Sequence, residues 1–383
     1  MRSFVFESLP GRVVFGVGSI ERLGEEIDRL GASRALLVAD PAHKPLADEL
    51  AAKLDRRSAD VFTDVQQHVP VEAADAAREV ARHSGADCVV TIGGGSTTGF
   101  GKVIALHSDI PTIAIPTTYA GSEMTPIYGL TADGRKQTGR DLRVLPRAVI
   151  YDPVLTVSLP PSVTGPSGMN ALAHCVEALY GREANPITSL VAEEGIRALS
   201  RGIPAAVRAP ADLEARTEAL YGAYLAGAAL AVVGMAIHHR ICHVLGGTYG
   251  LGHGEVNSVI LPHATRFNQD AAEAALKRVA CALGVDDAAT GLYDLARSAG
   301  APTSLAELGM PEDRIEEAAR FTSEDPPWNP RPVTLEAVLE LLRDAYHGVR
   351  PAPLVTTSYS EGEGTTKGEA SSEGTRAFEG RGS

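Results

Sequence analysis

The chain has 383 residues, of which 44% are hydrophobic, and a formal net charge of -13 at pH 7. This length exceeds the size at which a single hydrophobic core stops growing, so two domains are expected. The negative field of the whole chain repels phosphates, which argues against nucleic acid or an anionic membrane as partner and means that local cations must hold any anionic substrate.

Short β-branched runs alternate with helical stretches from about residue 12 to 150. The runs are RVVFG, ALLVAD, SADVFTD, DCVVTIGGG and PTIAIPTT, and amphipathic segments such as VEAADAAREVARHSG lie between them. This alternation is typical of βαβ units and a parallel sheet. The fold class expected for residues 1–160 is therefore α/β, a parallel sheet with flanking helices.

A glycine-rich segment, GGGS at residues 93–96, follows an apolar strand and precedes a helical stretch. Glycines let the backbone approach a ligand closely, and free amides at a helix start attract a pyrophosphate. The spacing is not GxGxxG, and three consecutive glycines also mark plain tight turns. The candidate cofactor-binding residues here are Gly93, Gly94, Gly95 and Ser96.

Two further segments end strands at the same predicted edge. PTTYAGSEMT, residues 116–125, brings hydroxyls to the carboxyl edge of the sheet, where ligands of open α/β folds bind. Its candidate cofactor-binding residues are Thr117, Thr118, Tyr119 and Ser122. Asp40 ends the run ALLVAD, where a carboxylate accepts from a ribose 2′-hydroxyl and repels a 2′-phosphate, which favours NADH over NADPH. The alternative role for Asp40 is a cap at the strand end before Pro41.

After residues 158–165 the strands stop, and the sequence to about 352 is interpreted as helices separated by Gly and Pro breaks. Residues 161–352 are therefore expected to form an all-helical domain. The apolar run at residues 226–237 is shorter than the roughly 20 residues that span a bilayer and is interpreted as a buried helix. Residues 353–383 are rich in Gly, Ser, Thr and Glu, and we expect a disordered tail.

The four cysteines form no CxxC pair, which argues against a disulfide framework or a thiolate zinc site. The N-terminal sequence MRSFVFESLPGRVVFG lacks the basic, apolar and small-residue regions of an export signal. Both observations favour the cytoplasm, and no membrane association is expected.

Histidines concentrate in two segments of the helical half. SGMNALAH, residues 167–174, places Asn170 and His174 on one helical face, and HHRICHVLGGTYGLGH places His239 and His243 on another. Gly246 and Gly247 are expected to end the second helix, and His253 follows a glycine-rich loop. A single histidine on such a helix is usually a core residue, but this concentration predicts a site.

The order of GGGS, PTTYAGSE, an [Asp/Asn]-x-x-x-His helix and His-x-x-x-His resembles the group III, iron-containing alcohol dehydrogenase family over about residues 10–350. The resemblance implies a Rossmann-like NAD(P)-binding domain at residues 1–160 and an all-helical domain at residues 161–352 that carries the substrate site. It also implies a cleft between them that holds NAD(P) and a divalent metal, and a homodimer. It places the metal ligands at Asn170, His174, His239 and His253. It also places an active-site histidine at His243 and a lysine near the cofactor at Lys136.

Two departures from the family pattern bear on function. Asn170 stands where the family has the aspartate of its metal site, and Gly99 stands at the Asp of GGGSxxDxxK, although Lys102 is kept. Three imidazoles and a carboxamide are a poor site for a hard divalent ion, so no metal is expected to be required; if one is retained, His174, His239 and His253 are its ligands. A carboxylate about 4 Å from a substrate carboxylate costs roughly 1 kcal/mol in water and about 4 kcal/mol at a dielectric constant of 20. Loss of the aspartate carboxylate at position 170 leaves a pocket whose imidazoles can bind protons, so the pocket can accept an anion.

Both departures resemble the maleylacetate reductase branch of the family. PWNPRP, residues 327–332, and TGRDLRVLPRAVIYDP, residues 138–153, also resemble that branch, although a rigid Pro turn and a solvated loop are the local alternatives. The branch reduces the C=C bond of maleylacetate, a dianion, to 3-oxoadipate with NADH or NADPH in the degradation of aromatic compounds.

The resemblance leads to a set of expected roles. His243 is the expected proton donor, and His174 and His253 are expected to stabilise the enolate with it. Asn170 and His239 are expected to shape the substrate pocket, and Arg140 or Arg143 to bind a terminal carboxylate. Three alternatives stay open: a metal-dependent alcohol dehydrogenase that reduces aldehydes, a lyase like dehydroquinate synthase, and a protein that binds NADH without catalysis.

Overall fold

The computed structural model describes residue 4 and residues 6–9, 11–132 and 135–353, except for the side chains of residues 135 and 136. The predicted tail, apart from residue 353, lies outside the described residues.

In the described part of the N-terminal half, six parallel strands form a sheet and two antiparallel strands form a separate hairpin. In chain order the strands are β1 (Arg12–Phe15), β2 (Ala35–Ala39), β3 (Ser58–Phe62), β4 (Cys88–Gly93), β5 (Thr112–Pro116), β6 (Ile127–Ala132), β7 (Arg135–Arg140) and β8 (Ala148–Tyr151). The order across the sheet is β1-β8-β5-β4-β2-β3. Every residue of β2, β4 and β5 is buried, as expected of parallel strands that are covered on both faces. The predicted parallel sheet is confirmed.

Two parts of this half differ from the expectation. The segment that has a solvated loop as its alternative contains β8, which is fully buried and pairs with β1 on one side and β5 on the other. The hairpin of β6 and β7 was not predicted at all, since its strands are only partly buried or polar. The loop interpretation is therefore wrong for residues 148–151.

The helices of the N-terminal half cover the sheet. They are α1 (Leu23–Arg29), α2 (Lys44–Leu54), α3 (Val71–Ser84) and α4 (Gly95–Ser108). α3 buries a stripe of alanines, while α4 is buried along most of its length. α4 begins directly after the carboxyl end of β4, and its burial makes it an interior helix.

Nine helices make up the described part of the C-terminal half. They are α5 (Pro161–Tyr180), α6 (Pro186–Arg208), α7 (Leu213–Val232), α8 (Ile237–Tyr249), α9 (His253–Phe267), α10 (Glu273–Leu283), α11 (Ala288–Ser298), α12 (Ile315–Glu324) and α13 (Leu335–His347). α5 is buried over nearly all of its last four turns and packs against α6, α7 and α9. The predicted all-helical half is confirmed.

One hydrophobic core runs through both halves. Ala114 and Val149 of the sheet belong to the same buried cluster as Leu172 of α5 and Leu220 of α7. The chain up to Pro353 accordingly forms one compact unit. The division into domains at residues 1–160 and 161–352 stays a prediction.

Two helix predictions need correction. The apolar run at residues 226–237 is the end of α7, a break and the first residue of α8, so it is buried but is not one helix. α8 does not stop at Gly246 and Gly247 but continues to Tyr249. Its C-cap is Gly250, whose φ of 68° provides the left-handed conformation that is common at helix ends. Within the described residues no single helix is long and apolar enough to cross a membrane, although α7 and α8, which meet at 98°, pass that test as a pair.

Candidate active site

The glycine-rich loop follows β4 directly. Gly93, with a φ of 153°, is the last residue of that strand, and a Cβ there would lie 2.4 Å from Thr97 Oγ1 and 2.9 Å from Asp40 Oδ2. Gly94 is the N-cap of α4, and within the described residues no side chain caps the N–H groups of its first turn. The free N–H groups at the start of this 14-residue helix suit a pyrophosphate. The cradle that the glycines leave therefore fits a dinucleotide.

The second loop lies beside the first. Thr117 N donates to Gly93 O over 3.1 Å, and a Cβ on Gly94 would lie 3.1 Å from Thr118 Cγ2. The buried hydroxyl of Thr117 has no hydrogen-bond partner among the described residues. The structure thus brings together Asp40, residues 93–96, Thr117 and Thr118 at the carboxyl edge of β4 and β5.

Asp40 combines the two roles considered for it. Its Oδ1 caps a short 3-10 helix by accepting from His43 N over 3.1 Å and lies 2.8 Å from His43 Nδ1, while its Oδ2 faces the Gly93 position. Burial opposes its charge, but the hydrogen bond and the charge of His43, with backbone amides, hold the pKa of Asp40 below its usual value. The group beside the glycine loop is therefore a carboxylate.

Two other predicted cofactor contacts have side chains that hydrogen-bond to other parts of the chain. The Tyr119 ring is fully buried, and its hydroxyl accepts from Arg216 Nη1 over 3.2 Å. Ser122 O and Oγ accept from Lys102 Nζ over 2.7 and 3.2 Å. The backbone of Lys136 lies in β7, and its side chain lies outside the described residues.

Lys102 of α4 holds the segment after β5 in place through hydrogen bonds. Its buried ammonium also donates to Thr125 Oγ1 over 3.1 Å and to Ile127 O over 2.6 Å. Burial lowers the pKa of Lys102 to about 7. The lysine that the family pattern keeps therefore holds the loop that carries Thr117 and Thr118 against the helix that starts at the glycines.

The four predicted histidines form a chain of rings from the core to the surface. The rings of His174 and His239 are stacked with centroids 4.8 Å apart, and those of His243 and His253 are stacked at 6.1 Å. His239 and His243 join the two stacks, with centroids 6.3 Å apart. His174 and His239 are buried, whereas His243 and His253 are exposed. The inner pair suits binding, and the outer pair is accessible to protons from solvent.

Three atoms of the inner site have no hydrogen-bond partner among the described residues although they are buried. They are Asn170 Oδ1, His174 Nδ1 and His239 Nε2. Buried polar atoms are nearly always paired in folded proteins, so this cluster indicates a place for a polar ligand. Burial and neighbouring histidines lower the pKa of His174 and of His239 well below the usual value. The two inner imidazoles are therefore neutral before a ligand binds, in contrast to the protonated pocket expected from the sequence.

A divalent ion does not fit these residues well. Among the described residues, only Glu177, His238 and His239 offer three His, Cys, Asp or Glu ligand atoms that lie within 4.8 Å of one another. Both Glu177 oxygens already accept backbone N–H groups, from Ala236 and His238. The inner site supplies a carboxamide and neutral imidazoles but no free carboxylate, which hard divalent ions prefer.

Two residues beside the site were missed from the sequence. Glu177, which is fully buried on α5, lies 2.7 Å from His239 Nδ1 through its Oε2. His238 is fully buried, and burial lowers its pKa to about 3. The spacing of Glu177, three residues after His174 and seven after Asn170, places it on the same helical face and could have indicated it.

The two arginines proposed for the substrate carboxylate are engaged elsewhere. Arg140 Nη2 donates to Ala231 O, at the end of α7, over 2.6 Å. Arg143 binds Asp141 through Nε and Nη2, which lowers the pKa of that carboxyl to about 2. Their role in substrate binding stays a prediction that these contacts do not favour.

Comparisons with known proteins agree with this architecture. The model of the family described as iron-containing alcohol dehydrogenase matches residues 10–153, and that of the Fe-containing alcohol dehydrogenase family, C-terminal, matches residues 164–346. A maleylacetate reductase of Burkholderia cepacia is 53% identical over 352 residues, 92% of this chain and 100% of that protein. The crystal structure of maleylacetate reductase from Agrobacterium tumefaciens is 48% identical, with a TM-score of 0.90 over 92% of this chain and 100% of that one.

A more distant relative contains the cofactor. Sulfoacetaldehyde reductase from Bifidobacterium kashiwanohense, solved in complex with NAD+, is 26% identical, with a TM-score of 0.84 over 90% of this chain and 98% of that one. The two family models together cover most of the chain, with the glycine loop in the first match and the four histidines in the second. The chain therefore belongs to the iron-containing alcohol dehydrogenase family.

Proposed function

We propose that the chain reduces the C=C bond of maleylacetate to 3-oxoadipate with NADH. Relatives that carry the name maleylacetate reductase match nearly the whole chain, and the site fits a dianion. The observation that carries the proposal is that the buried polar cluster of Asn170, His174 and His239 carries no negative charge, because position 170 holds an amide, whose Nδ2 can donate to an anion, and not a carboxylate. An aspartate at position 170 would repel a dianionic substrate.

The main task of the site is to stabilise negative charge on the ketone oxygen of the substrate. NADH, when bound, supplies the hydride for the carbon beta to that ketone. His174, His243 and His253 come from three helices that meet at the ring stacks, and donors from all three can converge on the oxygen as its charge develops. Prealigned donors of this kind need no reorganisation during the reaction.

His243 is the proposed proton donor to the enolate carbon. It lies one helical turn beyond His239 and is exposed, so solvent can return its proton after each turnover. Asn170 and His239 shape the inner end of the pocket. Neither proposed role requires a metal ion, and we propose that the reaction proceeds without one; if a metal is retained, His174, His239 and His253 are its proposed ligands.

The carboxylate of Asp40 supports a preference for NADH. It lies beside Gly93 and remains charged, so it would repel the 2′-phosphate of NADPH. The proposed cofactor contacts are the residues that converge at the edge of the sheet: Asp40, Gly93, Gly94, Gly95, Ser96, Thr117 and Thr118. NADPH remains usable in this proposal, with lower efficiency.

We further propose that the enzyme acts in the cytoplasm, as a homodimer, in the breakdown of aromatic compounds. All four cysteines, which lie in the described part of the chain, are unpaired, as a reducing compartment favours. The edge strand β1 presents an exposed Phe15 beside Tyr221, an apolar surface that suits a second copy. The net charge of -13 supports neither nucleic acid nor membrane as a partner.

The proposal is tested by offering two substrates. Maleylacetate and butanal are each incubated with purified enzyme and NADH, and cofactor oxidation is followed by absorbance while the product is identified by mass. We expect NADH to be oxidised with maleylacetate and 3-oxoadipate to form. Rapid turnover of butanal with none of maleylacetate would instead identify an aldehyde-reducing alcohol dehydrogenase.

A further inference from the structure

His238 is a buried histidine next to the site whose proton can be located from its contacts. Its Nε2 lies 3.1 Å from Asn257 O, and a carbonyl oxygen can only accept a hydrogen bond. The Nε2 atom therefore carries the proton. Since a neutral imidazole has one N–H, Nδ1 of His238 presents a lone pair.

That lone pair determines the state of the neighbouring ring. His238 Nδ1 lies 3.2 Å from His239 Nδ1, and two lone pairs at this distance would repel each other. His239 Nδ1 must then carry a proton, which it donates to Glu177 Oε2 over 2.7 Å. The remaining nitrogen, His239 Nε2, is left with a lone pair, and it is one of the three buried atoms of the inner site that have no partner among the described residues.

Glu177 also holds the backbone that carries His239. Its Oε2 accepts from Ala236 N and its Oε1 from His238 N, each over 3.0 Å. The N-cap of α8, Ala236, provides no side-chain acceptor, so Glu177 satisfies N–H groups that the helix start leaves unpaired. One carboxylate thus fixes both the start of the helix and the orientation of the ring.

We propose that Glu177 and His238 are positioning residues that lock His239 in the tautomer protonated at Nδ1. His239 then offers the pocket a hydrogen-bond acceptor and not a donor. The donors that stabilise the enolate must come from His174, His243 and His253, and His239 receives a donor group of the ligand or of water. A carboxylate that hydrogen-bonds to the ring nitrogen facing away from the ligand commonly sets the tautomer and orientation of an active-site imidazole.

The tautomer can be measured without substrate. In enzyme labelled with 15N-histidine, long-range proton–nitrogen correlation spectra distinguish a protonated from an unprotonated ring nitrogen, and His239→Gln assigns the signals of His239 by their loss. We expect Nδ1 of His239 to be protonated and Nε2 to be unprotonated. A proton on Nε2, with Nδ1 unprotonated, would overturn the proposal.

The kinetic test rests on the proposed reductase activity. Glu177→Gln replaces an acceptor with a group that can donate to His239 Nδ1, so the proton of His239 should move to Nε2. We expect kcat with maleylacetate to fall by roughly 10- to 100-fold, as is typical when such a partner is lost, with KM for NADH within about twofold. A kcat within about twofold of wild type would contradict the positioning role.

A matched control is available on the same stretch of chain. Glu183 is exposed and accepts from Gly234 N over 3.0 Å, so Glu183→Gln removes a carboxylate from the approach to α8 but touches no histidine. It should retain wild-type kcat. If Glu177→Gln does not fold, the measured tautomer of His239 in the wild-type enzyme decides whether the inference holds. If the wild-type enzyme does not reduce maleylacetate, the proposed function is rejected, but the tautomer proposal is not.

Discussion

Asn170 is the residue at which this chain departs from the metal site of its family. We predict that Asn170→Asp raises KM for maleylacetate by between about fivefold and a thousandfold, the range that corresponds to repulsion of roughly 1 to 4 kcal/mol. The same variant should retain zinc after dialysis, which is measured by elemental analysis.

Asn170→Ala is the matched control, because it loses the amide without adding charge. It should retain no zinc, and its KM should rise less than that of the aspartate variant. An aspartate variant with unchanged KM would show that position 170 does not face the substrate carboxylates.

His243 belongs to the exposed outer pair of the ring chain, where solvent can restore the proton that a donor has given up. We predict that His243→Ala lowers kcat with maleylacetate by at least about 100-fold, the usual contribution of a general acid, with NADH binding unchanged. Steady-state kinetics and NADH fluorescence titration measure the two effects. His83→Ala, at an exposed histidine of α3, serves as the control, and equal activity of the two variants would end the proton-donor role.

Sequence patterns locate the residues of the site better than they locate the contacts of those residues. The spacing of Asn170, His174, His239 and His243 already places them on helical faces, and the rings do meet. The tautomer of His239 depends on Asn257 O and Glu177, which reach it only through the packing of α5, α8 and α9. No local pattern encodes that coupling.

The arginines illustrate the same limit at single residues. Arg143 lies in a stretch that looks suited to an anion, yet Asp141, two residues earlier, occupies its guanidinium. Arg140 caps α7 by donating to Ala231 O. A basic side chain therefore indicates an anion site only when its own neighbours leave it available.

At the scale of elements, the junction of β4 and α4 forms the cofactor cradle. We predict that Gly93→Ala raises the Kd for NADH by at least tenfold, because the added Cβ would lie 2.4 Å from Thr97 Oγ1 and the backbone φ of 153° disfavours a side chain. Gly24→Ala in α1 is the control, since Gly24 is not a proposed cofactor contact and its Cβ would meet only Leu54 Cδ2 at 3.9 Å. Isothermal titration measures both, and equal affinities of the two variants would contradict a close approach at Gly93.

The strands with continuous apolar runs were predictable because burial on both faces leaves a plain signal. The hairpin of β6 and β7 was not, because its strands are polar or only partly buried and show no regular alternation. One signal was present: Asp133 and Gly134 form the dipeptide that commonly links hairpin strands. β8 was missed because arginines and prolines surround its four apolar residues.

At the scale of the whole molecule, buried histidines make stability depend on pH. Burial lowers the pKa of His263 to about 4, whereas a histidine in an unfolded chain titrates near 6.5. Below pH 6.5 the unfolded chain therefore binds a proton that the folded chain does not, and stability falls as the pH decreases toward 4. His263 alone should reduce the free energy of unfolding by about 2 kcal/mol between pH 7.5 and pH 5.

Urea unfolding at those two pH values tests this prediction. His263→Gln should show a smaller loss of stability on acidification than wild type, because it lacks the titrating ring. If both proteins lose the same stability between pH 7.5 and pH 5, His263 is not a source of acid lability.

The central claim is that a site without a carboxylate at position 170 binds a dianion and reduces it without a metal. The most direct test is NADH oxidation with freshly prepared maleylacetate by enzyme that has been treated with a chelator, dialysed and shown by elemental analysis to be free of transition metals. We predict activity equal to that of untreated enzyme, with no increase when iron or zinc is added. Loss of activity on stripping, with recovery only when the metal is returned, would contradict the claim.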